Sequence, residues 1–349
     1  MIVNVVGYFR RQCGLSNNAR AIAALLESRA VIVNRIAAKH QFFDDVPFTS
    51  DTPSGEVTIW CVNATELITN REFERSYSRR HVGVFMWELE FNRPPHFERA
   101  AALMDELWAQ TEFLARIYSG FPTVKLPCWI TDHEAYPGES SKDPRFTAMF
   151  AFDCASIWRR KNPQGVIATF RQAFSNGEKV RLILKANRTH KDPRFFRDLV
   201  RTTEGMPVQW ITENLPRAEY WKLLRLADVY ISLHRSEGIG LTIAEAIAAG
   251  VPVIATNYGG NVDFMDERCS FPVPFRMVPN DLRHGPYYAG AMWADPDVGA
   301  AANALRALYL DRDYHARLRA GCANVLRDKL NPAAAADAAI SRLEFLCRS

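Results

Sequence analysis

Residues Tyr230–Phe264 read YISLHRSEGIGLTIAEAIAAGVPVIATNYGGNVDF. The apolar run at 229–233 is typical of a buried parallel strand. A polar loop follows at 234–240. Small residues at 242–249 predict a helix, which a glycine ends before a second apolar run at 251–255. Strand, loop, helix and strand in this order predict a βαβ unit and therefore a parallel sheet.

The loop between the first strand and the helix is the place where this fold would bind a ligand. In open α/β sheets, ligands bind outside the carboxyl ends of the strands. A helix N-terminus at that edge offers free N–H groups and a partial positive charge to an anion. Gly238 and Gly240 allow the backbone to approach such a ligand closely.

Two carboxylates flank the start of the helix, and each has more than one interpretation. Glu237 lies in the loop and Glu245 in the helix, and carboxylates accept hydrogen bonds from sugar hydroxyls. Thr242 and Glu245 also match a capping box, in which Glu245 would only bond the start of its own helix. The two residues alone leave both interpretations open.

The longer stretch SEGIGLTIAEAIAAGVPVIAT, residues 236–256, resembles the donor-binding signature of retaining GT-B glycosyltransferases of glycosyltransferase family 4. The resemblance implies two Rossmann-like domains that face each other across a cleft, and a nucleotide-diphospho-sugar donor. It implies that Glu237 holds hydroxyls of the transferred sugar and Glu245 those of the ribose. Further donor contacts are expected from Gly238, Ile239, Gly240, Leu241, Thr242, His234, Gly259 and Gly260. For His234, a loop histidine bonded to backbone remains the alternative.

Basic residues in the preceding segment are candidates to bind the donor diphosphate. Lys161 matches a lysine of the family, whereas Ser156 stands where relatives often carry an arginine. Lys185 ends the next strand, and Arg160 is a further candidate. Such cations would stabilise the departing diphosphate, so Glu237, Lys161 and Lys185 are the predicted catalytic residues. The alternative is a solvated basic face.

The N-terminal half predicts a second doubly wound domain, because strands and helices alternate from Ile2 onwards. Gly14, Leu15 and Ser16 follow its first strand and resemble the glycine loop of the family, which lies near the donor phosphate and the acceptor; a plain turn is the alternative. Trp87 and Glu88 stand where many relatives place a histidine. An aromatic and an acidic residue there would suit sugar recognition, unless they are a core residue and a loop acid.

The domain boundaries follow from composition. Residues 131–145 are rich in Asp, Glu, Gly, Pro and Ser, and are the best linker. We therefore predict an N-terminal acceptor-side domain at 1–140 and a donor-binding domain at 141–330. Residues 331–349 predict a helix that packs back on the first domain, as the resemblance implies.

Composition bounds the environment of the protein. The formal net charge of +4 over 349 residues is too small to favour a nucleic-acid partner. Seven scattered cysteines without a C-x-x-C pattern predict reduced thiols. No apolar run is long enough to cross a membrane, and residues 1–7 predict a strand, not a signal peptide. These features predict a cytoplasmic protein.

No metal or cofactor is expected. Asp295 and Asp297, and likewise Asp311 and Asp313, match the D-x-D pattern that binds divalent metals in the other glycosyltransferase fold. Both pairs border predicted helices, where helix capping explains them. The nucleotide-diphospho-sugar is then a substrate and not a resident cofactor.

The segment 67–80, here called the basic segment, suggests a membrane contact. On one helix, Leu67, Phe73 and Tyr77 would share a side. Positive charge for an anionic membrane surface would come from Arg71, Arg75, Arg79 and Arg80. An ordinary solvated helix face is the alternative, and Glu72 and Glu74 favour it. Peripheral contact with the inner face of the cell membrane is therefore a hypothesis.

The sequence as a whole predicts a retaining glycosyltransferase. Our first choice of reaction is mannose transfer from GDP-mannose to a saccharide or a lipid-linked saccharide in polysaccharide assembly, and UDP-sugars remain open. A non-catalytic nucleotide-sugar-binding or scaffold protein with the same fold is the main alternative. A phosphorylase or an epimerase of the GT-B type is a second one.

Overall fold

The computed structural model describes residues 1–9, 13–38, 55–69, 73–90, 93–131, 144–282, 287 and 290–349. The chain divides into two compact units. Unit 1 combines Met1–Thr131 with Leu330–Ser349, and unit 2 is Asp132–Lys329. All seven cysteines are free thiols.

Unit 1 is a doubly wound parallel sheet, as the alternation of strands and helices predicts. Its strand order is β2-β1-β3-β4-β5-β6, so the direction of winding reverses between β1 and β3. The strands are β1 (Ile2–Gly7), β2 (Ile32–Ala37), β3 (Val57–Cys61), β4 (Arg80–Gly83), β5 (Glu106–Ala109) and β6 (Thr123–Lys125). The helices are α1 (Gly14–Glu27), α2 (Ala64–Thr69), α3 (Pro95–Ala101), α4 (Glu112–Ile117) and, from the other end of the chain, α12 (Pro332–Arg348).

Helix α12 forms part of the hydrophobic core of unit 1. Its buried residues Ala335, Ala339 and Leu343 belong to the same cluster as Val5 of β1 and Ile59 of β3. An ion pair reinforces this packing, because the Arg342 guanidinium donates to both carboxylate oxygens of Glu106 on β5. Trp108 donates to the same carboxylate at 2.7 Å.

The structure contradicts the single amphipathic helix expected for the basic segment. Leu67 is fully buried, and α2 ends before Phe73. The rings of Phe73 and Tyr77 pack on Trp60 of β3, with centroids 5.3 and 5.9 Å away. Leu67 therefore belongs to the interior of unit 1, and Phe73 and Tyr77 are half-buried against Trp60, a partner that local sequence does not show. Arg71 and Glu72 lie outside the described residues.

Unit 2 is a second parallel sheet, with the order β12-β11-β10-β7-β8-β9. Its strands are β7 (Phe146–Asp153), β8 (Val180–Asn187), β9 (Val208–Ile211), β10 (Val229–Ser232), β11 (Val253–Thr256) and β12 (Ser270–Val273). A separate antiparallel hairpin consists of β13 (Phe275–Pro279) and β14 (Met292–Pro296). The helices are α5 (Trp158–Lys161), α6 (Pro163–Ala173), α7 (Pro193–Arg201), α8 (Arg217–Arg225), α9 (Leu241–Ala248), α10 (Val298–Leu310) and α11 (Arg312–Lys329). The predicted βαβ unit is β10-α9-β11.

In the two D-x-D matches, Asp295, Asp297 and Asp311 have structural partners. Asp297 and Asp311 accept hydrogen bonds from backbone N–H groups in the first turns of α10 and α11, at 2.9 and 2.8 Å. Asp295 forms ion pairs with Arg235 and Arg276. Within the described ranges, no group of three or more His, Cys, Asp and Glu side chains is arranged to hold a metal ion.

We also searched the helices of the described residues for membrane spans. None of them is both long enough and apolar enough to cross a bilayer.

Candidate functional site

The candidate site lies at the point where the winding direction of the unit 2 sheet reverses. Strand β7 is hydrogen-bonded to β10 on one side and to β8 on the other. Chain connections therefore leave β7 and β10 in opposite directions, which opens a crevice at their carboxyl ends. The loops at 154–162 and 233–240 line this edge, and both contain predicted site residues.

The two loops are joined by one asparagine. Asn162 donates from its side-chain amide to the carbonyl of Leu233 at 2.8 Å. Its amide oxygen accepts from the backbone N–H of Gly165, which caps α6. Asn162 and Ile157, on either side of the short helix α5, both have left-handed backbone conformations. That conformation is unfavourable for a β-branched isoleucine, and such strain is typical of functional loops.

The centre of the site is Glu237 with two cations. Lys161 donates to one carboxylate oxygen, and the Arg160 guanidinium lies 3.1 Å from the other. Arg160 is only 2% exposed and also donates to the carbonyl of Ser236 and the hydroxyl of Ser156. A second cation is therefore present beside Glu237 although position 156 carries no arginine.

The electrostatic balance keeps Glu237 ionised. Burial alone would raise the pKa of this carboxyl group, which is 13% exposed. The positive charges of Lys161 and Arg160, with a contribution from His234, outweigh burial and hold the pKa at about 2. At neutral pH the three side chains Lys161, Arg160 and Glu237 carry a net positive charge, which favours binding of an anion.

Glycines bring a third loop against Glu237. The backbone N–H of Gly260 donates to the carbonyl of Glu237 at 2.8 Å. A Cβ added at Gly259 would lie 2.6 Å from that carbonyl oxygen, and Gly259 has a φ of 100°. Only glycine fits this approach. The loop after β11, predicted from its consecutive glycines to border the site, is in direct contact with it.

The other predicted loop residues form the entry to α9. Gly240 has a positive φ of 84° and precedes the first residue of the helix, Leu241. Gly238 and Ile239 are buried, and Thr242 hydrogen-bonds to Tyr230 on β10. The loop therefore turns sharply at Gly240, so that the N-terminus of α9 lies at the same edge of the sheet as Glu237.

His234 adopts the backbone-bonded arrangement that was the alternative to donor contact. Its Nε2 lies 2.9 Å from the carbonyl of Tyr258, and its Nδ1 lies 3.1 Å from the hydroxyl of Ser232. Since a carbonyl can only accept, Nε2 is the donor and Nδ1 accepts. Burial lowers the pKa of His234, in agreement with a neutral ring that holds the loop.

The capping interpretation of Glu245 is wrong. Helix α9 is capped by Gly240 without any side-chain hydrogen bond. The buried Glu245 carboxylate instead lies 2.6 Å from Arg217 at the start of α8. The Arg217 guanidinium lies over the rings of Tyr220 and Trp221. We did not predict Arg217, and nothing in its local sequence indicates the contact.

Lys185 does not join the Glu237 group. Its ammonium donates to the side chain of Asn187 on its own strand, and it is buried. Burial lowers the pKa of Lys185, against the opposing charges of Glu213 and Asp153. Of the two expected diphosphate cations, the structure therefore places Lys161 beside Glu237, together with Arg160, and leaves Lys185 two strands away from β10.

The three loop residues predicted near the start of unit 1 differ in their exposure and contacts. Gly14 is the exposed first residue of α1, and an added Cβ there would meet no atom of the described residues within 4 Å. Leu15 is half-buried, and the hydroxyl of Ser16 donates to the carbonyl of Tyr8 at 2.6 Å. The backbone at 14 does not require glycine.

The expected sugar-facing aromatic surface is not formed by Trp87. This ring is 5% exposed and packs near Phe97, with centroids 6.5 Å apart. It belongs to the core of unit 1, which was the alternative interpretation. The neighbouring Glu88 is half-buried.

Comparison with known proteins shows what part of the chain is similar to. Residues 150–269 match the family model described as glycosyl transferases group 1. The chain is 32% identical over 106 residues to the trehalose synthase of Rubrobacter xylanophilus, covering 29% of this chain and 26% of that protein. It is 25% identical over 131 residues to the sucrose synthase of Thermosynechococcus vestitus, covering 33% of this chain and 16% of that protein. The matched segments thus span about a quarter or less of these relatives.

Solved structures share the fold of the chain. The glycosyltransferase of Rickettsia africae has a TM-score of 0.71 at 12% identity, covering 100% of this chain and 98% of that one. HepE of Anabaena, in complex with UDP and glucose, has a TM-score of 0.67 at 14% identity, covering 99% of this chain and 100% of that one. The sucrose-phosphate synthase of Thermosynechococcus elongatus has a TM-score of 0.69 at 15% identity, covering 100% of both chains. The expected two-domain GT-B fold is therefore confirmed.

Proposed function

We propose that the protein is a retaining glycosyltransferase, because its residues 150–269 match the family model of glycosyl transferases group 1. One observation carries this proposal. Lys161 and Arg160 contact Glu237 at the carboxyl edge of β7 and β10, where open α/β sheets bind ligands. Two cations and a carboxylate at this point suit a ligand that carries both phosphates and hydroxyl groups, such as a nucleotide-diphospho-sugar.

In the proposed reaction, the bond between the anomeric carbon and the β-phosphate oxygen breaks. The acceptor hydroxyl forms the new bond on the same face of the sugar and gives its proton to the departing phosphate. Lys161 and Arg160 stabilise the negative charge that the diphosphate gains. Glu237 accepts hydrogen bonds from hydroxyls of the transferred sugar, and Glu245 from the ribose.

The proposed donor is a nucleotide-diphospho-sugar. The residues of the site indicate its nucleotide base less clearly than its diphosphate and sugar. GDP-mannose remains our first choice from the sequence. HepE, which shares the fold, has been solved with UDP-glucose, so UDP-sugars belong in any donor panel. The proposed acceptor is a saccharide or a lipid-linked saccharide.

Release of nucleoside diphosphate without an acceptor tests the proposal. The purified chain is incubated with UDP-glucose, GDP-mannose and ADP-glucose, and release is compared with a sample without protein. We expect slow hydrolysis of at least one donor, lost in Lys161→Gln and retained in Lys179→Gln. Lys179 is a matched control because it is an exposed lysine in the same unit. Donor binding without any hydrolysis or transfer would favour the non-catalytic nucleotide-sugar-binding alternative.

We further propose that the reaction needs no metal ion, because Lys161 and Arg160 supply the positive charge that a divalent cation provides elsewhere. We expect the rate of donor hydrolysis to be unchanged by EDTA. A rate that EDTA abolishes and Mn²⁺ restores would contradict this.

A cytoplasmic location with peripheral contact to an anionic membrane stays a prediction. Because the rings of Phe73 and Tyr77 pack on Trp60, the prediction is now supported by the exposed Arg75 and Arg79 and by the net charge of +4. Flotation with anionic vesicles at low salt tests it. Protein that remains with the soluble fraction would exclude the contact.

A further inference from the structure

The antiparallel hairpin β13–β14 lies outside the parallel sheet of unit 2 and follows residues 150–269, which match the family model. Its register places Arg276 of β13 opposite Asp295 of β14. A two-stranded hairpin is only marginally stable on its own, so its contacts with the rest of unit 2 matter. The rings of Phe275 and Tyr258, with centroids 5.3 Å apart, bring it against the loop after β11. The hairpin therefore borders the loops of the candidate site.

Arg235 connects this hairpin to both loops that carry the charged residues of the site. Its backbone N–H donates to the carbonyl of Arg160 at 2.7 Å, and its own carbonyl accepts from the backbone N–H of Ala294 on β14 at 2.8 Å. Arg235 directly precedes Ser236, whose carbonyl accepts from the Arg160 guanidinium. The backbone of Arg235 therefore lies between the hairpin and the loop of Arg160, and is bonded to both.

The side chain of Arg235 is held by the same hairpin. Its guanidinium lies 2.7 Å from one carboxylate oxygen of Asp295 and over the ring of Trp293, 5.4 Å from the ring centroid. Trp293 is buried, and the side chains of Arg235 and Asp295 are half-buried. Arg276 contacts the other carboxylate oxygen at 3.1 Å, and its side chain is 80% exposed. Asp295 thus has a partner towards the site and a second partner towards solvent.

We propose that Asp295 is a positioning residue for the reaction and acts on the site through Arg235. The ion pair restrains the 233–240 loop at the point where the Glu237 carboxylate contacts Lys161 and Arg160. Exact placement matters there, because a displacement of about 1 Å can lower the rate of a reaction about 100-fold. The effect on turnover rests on the proposed function, whereas the restraint of the loop does not.

Donor hydrolysis by Asp295→Ala tests the effect on turnover, with the three nucleotide-sugars used above. We expect kcat to fall about tenfold or more with KM within about twofold of the wild type, since misalignment affects the transition state more than donor binding. Arg276→Ala is the matched control, because it removes the exposed partner of Asp295 and leaves Arg235 in place. The control should react at the wild-type rate.

A double variant tests whether Asp295 acts through Arg235. If it does, Asp295→Ala combined with Arg235→Gln should be no slower than the slower of the two single variants, because both changes break the same ion pair. Rate losses that multiply in the double variant would show that the two residues act independently, and would overturn the proposal.

Hydrogen exchange of the full-length chain tests the restraint without any donor. We expect the amides of residues 233–240 to exchange about tenfold or more faster in Asp295→Ala, and at the wild-type rate in Arg276→Ala. The amides of β7 should exchange alike in all three proteins. Unchanged exchange of the loop in Asp295→Ala overturns the proposal, and so does faster exchange with a wild-type kcat.

The two measurements separate this proposal from the proposed function. If the wild type hydrolyses no donor, the proposed function fails, and hydrogen exchange still decides whether Asp295 restrains the loop. If Asp295→Ala melts below the wild type, Asp295→Asn replaces it under the same criteria, because it removes the charge and keeps the size of the side chain.

Discussion

Burial disfavours the charged form of Glu237, and the two cations beside it outweigh this effect. Removing either the negative charge or the positive charges of this group should therefore be unfavourable. Without Glu237, the buried Arg160 would lose this carboxylate partner. Without Lys161 and Arg160, the buried carboxylate would lose the two cations that offset its burial. The three residues therefore act as one group, and single substitutions report on all of them.

Replacement of Glu237 should change both the reaction and the response to acid. We expect Glu237→Gln to lower donor turnover by about 1–3 kcal/mol of transition-state free energy, since hydrogen bonds from sugar hydroxyls to a charged acceptor are lost. In the wild type, the ordinary pKa of 4.5 falls to about 2 on folding. The stability that this shift contributes is complete above about pH 4.5 and is lost as the pH falls towards 2.

The variant should therefore lose stability less steeply than the wild type between pH 4.5 and 2, as measured by urea unfolding at a series of pH values. Glu219→Gln is the control, because Glu219 is an exposed residue that pairs with Lys222. Equal slopes for the wild type and Glu237→Gln would show that the cations do not stabilise this carboxylate.

Glu245 gives a second test at this scale. Glu245 does not cap α9, because no side-chain hydrogen bond caps this helix. The effect of Glu245→Gln therefore reports on the other contacts of this carboxylate. We expect the dissociation constant for the donor nucleotide to rise by a factor that corresponds to about 1–3 kcal/mol, measured by calorimetry. The same Glu219→Gln control applies. An unchanged constant would mean that Glu245 serves only to hold Arg217.

Some residues of the site could be predicted from the sequence and others could not. Glu237 and Lys161 follow from motifs, and the structure brings their side chains together. The role of Arg160 beside Ser156 depends on the left-handed residues Ile157 and Asn162, and propensities do not predict such a backbone for isoleucine. The contact of Glu245 with Arg217 joins residues 28 positions apart, so no local pattern contains it.

At the scale of elements, helix α11 shows how closely two segments approach. A Cβ added at Gly321 would lie 1.8 Å from the carbonyl oxygen of Arg268, just before β12. We expect Gly321→Ala to destabilise unit 2 by about 1–3 kcal/mol, the usual cost of overpacking, as measured by urea unfolding. Gly14→Ala is the control, since its Cβ would meet none of the described atoms within 4 Å. Equal stability of both variants would contradict the close approach.

Elements with strong local periodicity were predicted well, and elements defined by distant partners were not. The β10-α9-β11 unit appears within one or two residues of its expected bounds, because apolar runs and glycines mark its ends. The single helix expected for the basic segment is wrong, because Phe73 and Tyr77 are half-buried against Trp60. Tertiary packing overrides helical spacing there.

For the molecule as a whole, the attachment of α12 to unit 1 depends on a buried charge. Glu106 is 2% exposed and pairs with Arg342. We expect Arg342→Met to destabilise the protein by about 3 kcal/mol, since it leaves an uncompensated buried carboxylate. Tryptophan fluorescence during urea unfolding would report this, because Trp108 hydrogen-bonds to Glu106.

A second substitution, Glu106→Gln, should restore part of the loss in the double variant. Arg348→Met is the control, because Arg348 is exposed and forms its ion pair with Glu344 within α12. A double variant that is no more stable than Arg342→Met would show that packing of the arginine stem, and not charge, holds the helix.

The membership of α12 in unit 1 also has a consequence for synthesis of the chain. The first 131 residues leave the ribosome early, but part of their core comes from 330–349, beyond the whole of unit 2. At about 5–20 residues per second, roughly 10–40 s pass while the intervening residues are made. Unit 2, whose residues are contiguous, can fold in that interval. Residues 1–131 therefore obtain the rest of their core only after unit 2 has been synthesised, and until then the apolar surface that α12 covers stays exposed.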